Sequence, residues 1–187
     1  MKKIAITIEN ANRPYLDELL DLYANPGNHP NAFLVGPELS EAARRLTKFV
    51  VESSPPPDLP PGKSAWVTNE EEGFVMHVLS SALEKMPVAI EALGDLFDAS
   101  MTLGPAILHE YFHKKNREGV GDDLAGESEA VAAQERAKQD LENRYKQEVE
   151  SSNRMLRSVV KLSTNLDASG NRKYSNLVDK ILYKMAD

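Results

Sequence analysis

The chain has 187 residues, with 29 acidic against 22 basic side chains, a formal net charge of −7 and no cysteine. That length buries a core without a covalent staple, and the missing thiols exclude disulfides, thiolate metal sites, iron–sulfur clusters and a cysteine nucleophile. Net acidity argues against general binding to a phosphate backbone, and no apolar run approaches the roughly 18 residues that a membrane helix needs.

Residues 3–9 (KIAITIE) alternate and are β-branched, which predicts a short strand. Asn12 is placed to cap a helix with Pro14 in its first turn, and Leu16, Leu19, Leu20 and Tyr23 form its apolar stripe. Asn25-Pro26-Gly27 ends that helix, and the short apolar run Ala32–Val35 reads as a second strand beside the first. Gly36-Pro37 starts another helix, whose stripe of Leu39, Ala42, Ala43, Leu46, Phe49 and Val50 runs to residue 50. Five prolines within residues 53–62 predict an extended linker, a spacer rather than a ligand for a proline-reading domain.

Asn69 before Glu70-Glu71-Glu72 resembles a helix start, with carboxylates on the positive end of the dipole. Val75, Val78, Leu79, Ala82, Leu83 and Met86 then supply a helical stripe that Pro87 stops. Ile90, Leu93, Leu96, Phe97 and Met101 mark the next helix. Gly104-Pro105 breaks it, and a further helix follows. After glycines at 119, 121 and 126, residues 127–162 contain neither glycine nor proline, which predicts a helix of about 35 residues. A turn at 165–171 and the stripe Tyr174, Leu177, Val178, Ile181, Leu182, Met185 complete an αα-hairpin. The expected fold is therefore mostly α, α+β at most, with one or two short N-terminal strands. A compact body over residues 1–118 precedes a coiled-coil-like helical arm over 119–187.

Chemistry is suggested at one place, His109-Glu110-Tyr111-Phe112-His113, in a segment expected to be helical. Histidines at i and i+4 share a helix face and can chelate one zinc ion, while the glutamate between them can take a proton from water. At 100° per residue, Ile107, Leu108, Tyr111 and Phe112 cluster on the opposite side, roughly 150° from the histidines. An exposed polar face would give the same angles. Glu129, in Gly126-Glu127-Ser128-Glu129-Ala130, lies 16 residues after His113. That spacing resembles the third-ligand spacing of some small bacterial and phage zincins, in which a Glu-Ala pair on the next helix completes the site. The resemblance implies His109, His113 and Glu129 as zinc ligands and Glu110 as general base. Two features depart from it. Zincins normally carry uncharged, packed residues after the second histidine, where this chain has Lys114 and Lys115, two ammonium groups that would repel a metal ion. Zincins also place a sheet with a substrate-holding edge strand before the active helix, where this chain reads as helical. Tyr111 faces the core, so no oxyanion donor is evident.

The remaining candidates carry less. His77 sits in an apolar run and reads as a partly buried, hydrogen-bonded histidine, His29 as a loop residue, and the Asp95/Asp98 pair as a solvated helix face. Charge is uneven: residues 70–129 hold 13 acidic against 4 basic side chains, and residues 151–187 hold 7 basic against 3 acidic. These features lead to a non-enzymatic cytoplasmic interaction or inhibitor protein, of the kind a phage or mobile element encodes, with no cofactor. Its acidic surface at Glu70, Glu71 and Glu72 would meet a basic partner, for instance a nucleic-acid-binding protein. The alternative is a small zinc metallopeptidase using the histidine motif. A third reading is a helical protein that self-assembles through residues 127–187. No signal-peptide core is evident in residues 1–10, and direct nucleic-acid binding is not expected.

Overall fold

A computed structural model describes residues 4–11, 13–27, 29–57, 59–70, 73–118, 123–170 and 172–186. In chain order the elements are β1 (Thr7–Glu9), α1 (Leu16–Ala24), α2 (Pro37–Arg45), β2 (Leu46–Glu52), β3 (Ala65–Glu70), β4 (Gly73–Leu79), α3 (Leu93–Glu118), α4 (Asp123–Ala168) and α5 (Arg172–Ala186). The protein is mostly helical, but its sheet has four strands in the order β1-β2-β4-β3. β1 runs parallel to β2 and β2 parallel to β4, while β3 is antiparallel to β4 and forms an edge.

Three segments differ from the sequence expectation, each because pairing in the sheet outweighs local pattern. The stripe thought to carry one helix to residue 50 splits at Leu46: α2 ends at Arg45 and β2 follows with no loop. Leu46, Phe49 and Val50 are buried as strand residues. The helix expected from Asn69 is a strand pair, β3 ending at Glu70 and β4 beginning at Gly73. β4 lies between β2 and β3, so its run Gly73-Phe74-Val75-Met76 is buried on both faces. A short apolar run buried on both faces has no alternation to distinguish it from a buried helix. Glu70 thus ends a strand, and Glu71 and Glu72 lie outside the described residues, as do Asn12 and the glycines at 119 and 121. The run 32–35, taken as a strand, holds a single 3₁₀ turn at Ala32–Leu34, because β1 pairs with β2 instead.

The break at Gly104-Pro105 is also absent: α3 is continuous over 26 residues with Pro105 inside it. An interior proline costs a helix about 3 kcal/mol. Here Leu103, Gly104, Pro105, Ile107 and Leu108 are all buried, and that packing outweighs the lost hydrogen bond. Gly104 allows the close approach, since a Cβ there would lie 3.2 Å from Leu39 Cδ2 and 3.5 Å from Leu141 Cδ1. Asp95, expected to be solvated, accepts the backbone N–H groups of Glu91 and Ala92 at 3.0 and 2.9 Å and so caps the start of α3.

Tyr23, Phe49, Phe74, Leu16, Leu19, Leu20 and Met76 are fully buried and form the core between the sheet and the helices. α3 packs on β3 and β4, where the Phe74 and Tyr111 rings meet at 6.1 Å. Gly73 is pinned at the start of β4. A Cβ on it would overlap the Arg45 carbonyl oxygen and lie 2.6 Å from Thr47 Cγ2. Its own carbonyl accepts the buried Lys114 ammonium at 2.6 Å. Gly73→Ala should therefore force β2 and β4 apart and cost about 3 kcal/mol, a fall of roughly 6–12 °C in Tm by calorimetry. An unchanged Tm would show that this approach yields without cost.

The chain divides into two compact units, residues 1–144 and 145–187. The boundary between the units lies within α4, and Ala130, Ala133 and Leu141 of its N-terminal part are buried in the first unit. In the second unit Ser163 Oγ meets Ser175 Oγ at 3.3 Å and donates to Asp179 Oδ1 at 2.5 Å. Met155, Leu156, Val160, Leu162, Tyr174 and Leu177 are exposed. No helix among the described residues is long and apolar enough to cross a membrane.

Candidate metal centre

The helical spacing of His109 and His113 stacks them one turn apart, and their Nε2 atoms lie 3.0 Å from each other with the rings edge to face. α4 approaches the face they occupy, with Glu127 near both histidines and Ala130 and Gln134 near His109. Gly126, Ala130 and Ala133, spaced four and three residues apart, form a buried small-residue stripe along the first turns of that helix. Glu127, beside this stripe, places its carboxylate at the histidines: Oε2 is 3.1 Å from His113 Nε2 and Oε1 is 3.9 Å from His109 Nε2. The three residues are each half-buried, and their ligand atoms lie within 4.8 Å of one another. Tetrahedral zinc with bonds of about 2.0–2.1 Å to nitrogen and oxygen separates its ligand atoms by roughly 3.4 Å. The observed separations of 3.0, 3.1 and 3.9 Å bracket that value.

Glu129, the third ligand expected from the sequence, is not part of this cluster. It lies roughly 200° around α4 from Glu127 and is exposed. Glu127 was missed because the spacing resemblance favoured the Glu-Ala pair. The signal that distinguishes the two glutamates was present in the small-residue stripe, which marks the buried side of α4.

Burial lowers the pKa of His109, opposed by the nearby Glu127 carboxylate and reinforced by the Lys63 ammonium. A histidine kept neutral offers a lone pair, the form in which imidazole binds metal. His109 Nδ1 is buried, and the ring lies near Gln134 and the Ala130 backbone. That is the position from which a neighbouring acceptor orients a ligating ring.

Glu110 is 7% exposed and one position along from His109. The two lysines expected to repel a cation are directed elsewhere. Lys114 is buried and donates to the Gly73 carbonyl, and Lys115 lies over the Phe112 ring, 5.6 Å from its centroid. The segment before α3 supplies a sheet after all, with β3 as its edge and α3 packed on β3 and β4. Among the described residues this is the one group of three histidine or acidic side chains with metal-holding geometry.

The other histidines are held in different ways. His77 Nδ1 meets Glu52 Oε1 at 3.0 Å, Nε2 meets Thr68 Oγ1 at 3.3 Å, and the ring stacks on Trp66 with centroids 5.1 Å apart. His29 Nδ1 accepts the Asn31 N–H at 3.2 Å, closing a local turn.

No protein-family model, no curated protein and no solved structure matches this chain.

Proposed function

We propose that the protein is a metal-dependent hydrolase of the zincin type that cleaves peptide bonds. The observation that carries this reading is the convergence of His109 Nε2, His113 Nε2 and the Glu127 carboxylate from two helices onto one point. A zinc ion bound there would polarise a water molecule and a substrate carbonyl. Glu110, on the same turn as His109, would take the proton that water loses on attack and return it to the leaving amine. β3 supports a peptide substrate in particular. It is a sheet edge beside the histidine helix, and an edge strand offers unpaired N–H and C=O groups to an extended chain.

The reading as an acidic interaction or inhibitor protein rests on charge alone, and Glu71 and Glu72 lie outside the described residues. It stands second for that reason. The Ser163 contacts to Ser175 and Asp179 support a helical hairpin in the second unit. That hairpin plays no part in the proposed chemistry.

Metal content tests the proposal. Untagged protein should carry about one zinc per chain by plasma mass spectrometry, as expected for a single His₂Glu site. His109→Ala/His113→Ala protein, shown by circular dichroism to be folded, should carry none. Metal-free parent protein after dialysis against micromolar zinc would overturn the proposal and leave a search for partners as the next step.

A further inference from the structure

We infer that Lys63 is a catalytic residue of this site, the electrophile that receives the negative charge developing on the substrate carbonyl oxygen. The inference rests on the hydrolase reading and adds to it the oxyanion donor that the histidine helix does not provide.

The backbone holds Lys63 in place. Pro60-Pro61-Gly62-Lys63 forms a tight turn in which the Lys63 N–H donates to the Pro60 carbonyl at 3.3 Å. Gly62 has φ +86°, with no atom within 4 Å of where its Cβ would be, so the glycine is there for its backbone angle and not for space. Proline at the second position and a left-handed glycine at the third are the signature of a type II turn. On its other side Lys63 is followed by Ser64, whose carbonyl accepts the Leu79 N–H at 2.8 Å, and by β3. A proline-stiffened turn and a rung on β4 thus flank it. These contacts fix the backbone from which the side chain departs, which reduces the ordering left to be done at a transition state.

The side chain then reaches the cluster. Lys63 Nζ lies 3.8 Å from Glu127 Oε2, the same oxygen that is 3.1 Å from His113 Nε2. The Lys63 side chain is 45% exposed and this ion pair is long, so its N–H donors are not consumed by Glu127. The lysines on α3 cannot take its place, since Lys114 is committed to Gly73 and Lys115 to the Phe112 ring.

The step balances without a further reactant. The water oxygen bonds to the carbonyl carbon, the carbonyl π pair moves to oxygen beside the Lys63 ammonium, and the water proton passes to Glu110. When the C–N bond breaks, that oxygen pair re-forms the carbonyl and Glu110 delivers its proton to the departing nitrogen.

The test compares zinc-loaded parent, Lys63→Met and Lys63→Arg proteins. It measures zinc affinity by chelator competition, kcat and KM on the best-cleaved member of a quenched fluorescent peptide set, and affinity for a phosphinic peptide, whose tetrahedral anion mimics the developing charge. A buried oxyanion donor contributes about 10²–10³ in kcat, and a half-exposed lysine contributes less. Lys63→Met should lose roughly 30-fold in kcat and a similar factor in phosphinic-peptide affinity, with KM unchanged and zinc affinity no weaker than the parent's. Lys63→Arg should recover most of both. If zinc affinity falls while kcat at saturating zinc stays parental, Lys63 merely positions Glu127 and the inference is overturned. It is equally overturned, with the hydrolase reading intact, if Lys63→Met matches a Glu110-dependent parent in every measurement. A zinc-loaded parent that neither cleaves peptides nor binds the phosphinic peptide removes both.

Discussion

Glu110→Gln is expected to abolish peptide hydrolysis, by about 10³-fold or more in kcat, while the protein keeps its zinc. Glutamine preserves the length and helix propensity of glutamate, and position 110 is interior to α3, so the helix that spaces His109 and His113 is undisturbed. Only the ability to accept a proton is lost. Because Glu110 is buried and engaged with neighbouring groups, the variant needs a melting curve beside its kinetics. A Tm within a few degrees of the parent, full zinc content and no turnover form the expected result. Retained turnover at parental zinc occupancy would remove Glu110 as the base and with it the proposed mechanism. Loss of both zinc and Tm would indicate a structural role, and a less disruptive replacement such as Glu110→Asp would then separate folding from chemistry. Aspartate keeps the charge but shortens the reach by one methylene, so partial activity with normal zinc would restore the base assignment.

How far the sequence revealed this arrangement depends on which forces acted at each segment. The helical placement of the histidine pair was legible, since i and i+4 positions share a face whatever surrounds them. Most of the long helix, the glycine-free stretch 127–162, and the terminal helix were legible for a similar reason: propensity summed over many residues is a local quantity. The sheet was not. β2 and β4 are short apolar runs whose pattern fits a helix stripe as well as a strand, and parallel pairing, visible only in the folded chain, decides between them. That error carried over to the site. Reading the segment before α3 as helix hid the edge strand β3 and made the histidine motif look isolated. The two lysines after His113 misled for a related reason, because a charge in sequence has no direction until its partner is known. Lys114 finds the Gly73 carbonyl, which is 41 residues away in the chain.

The choice between Glu127 and Glu129 yields the second large effect. Glu127→Gln should weaken zinc binding by at least about 100-fold, while Glu129→Gln should leave it unchanged. Replacing a residue that only hydrogen-bonds to a metal ligand already costs about 10–100-fold in metal affinity, and losing a charged ligand costs at least the upper end of that range. Both residues lie in the first turns of α4, both are replaced by a side chain of equal size and similar propensity, and both substitutions remove one negative charge. General electrostatic attraction to the acidic body therefore changes equally in the two variants. Any difference between them reports direct ligation. The geometry predicts the asymmetry because Glu127 faces the histidines at 3.1 and 3.9 Å, whereas Glu129 is exposed on the opposite flank. Chelator competition on the two variants measures it. If Glu129→Gln is the one that loses zinc, α4 must rotate by roughly half a turn on metal binding, and the small-residue stripe of Gly126, Ala130 and Ala133 would have to leave the buried position it holds. Equal zinc affinity in parent, Glu127→Gln and Glu129→Gln proteins would leave the histidine pair without an acidic third ligand. A two-ligand site binds zinc too weakly to sustain the proposed chemistry.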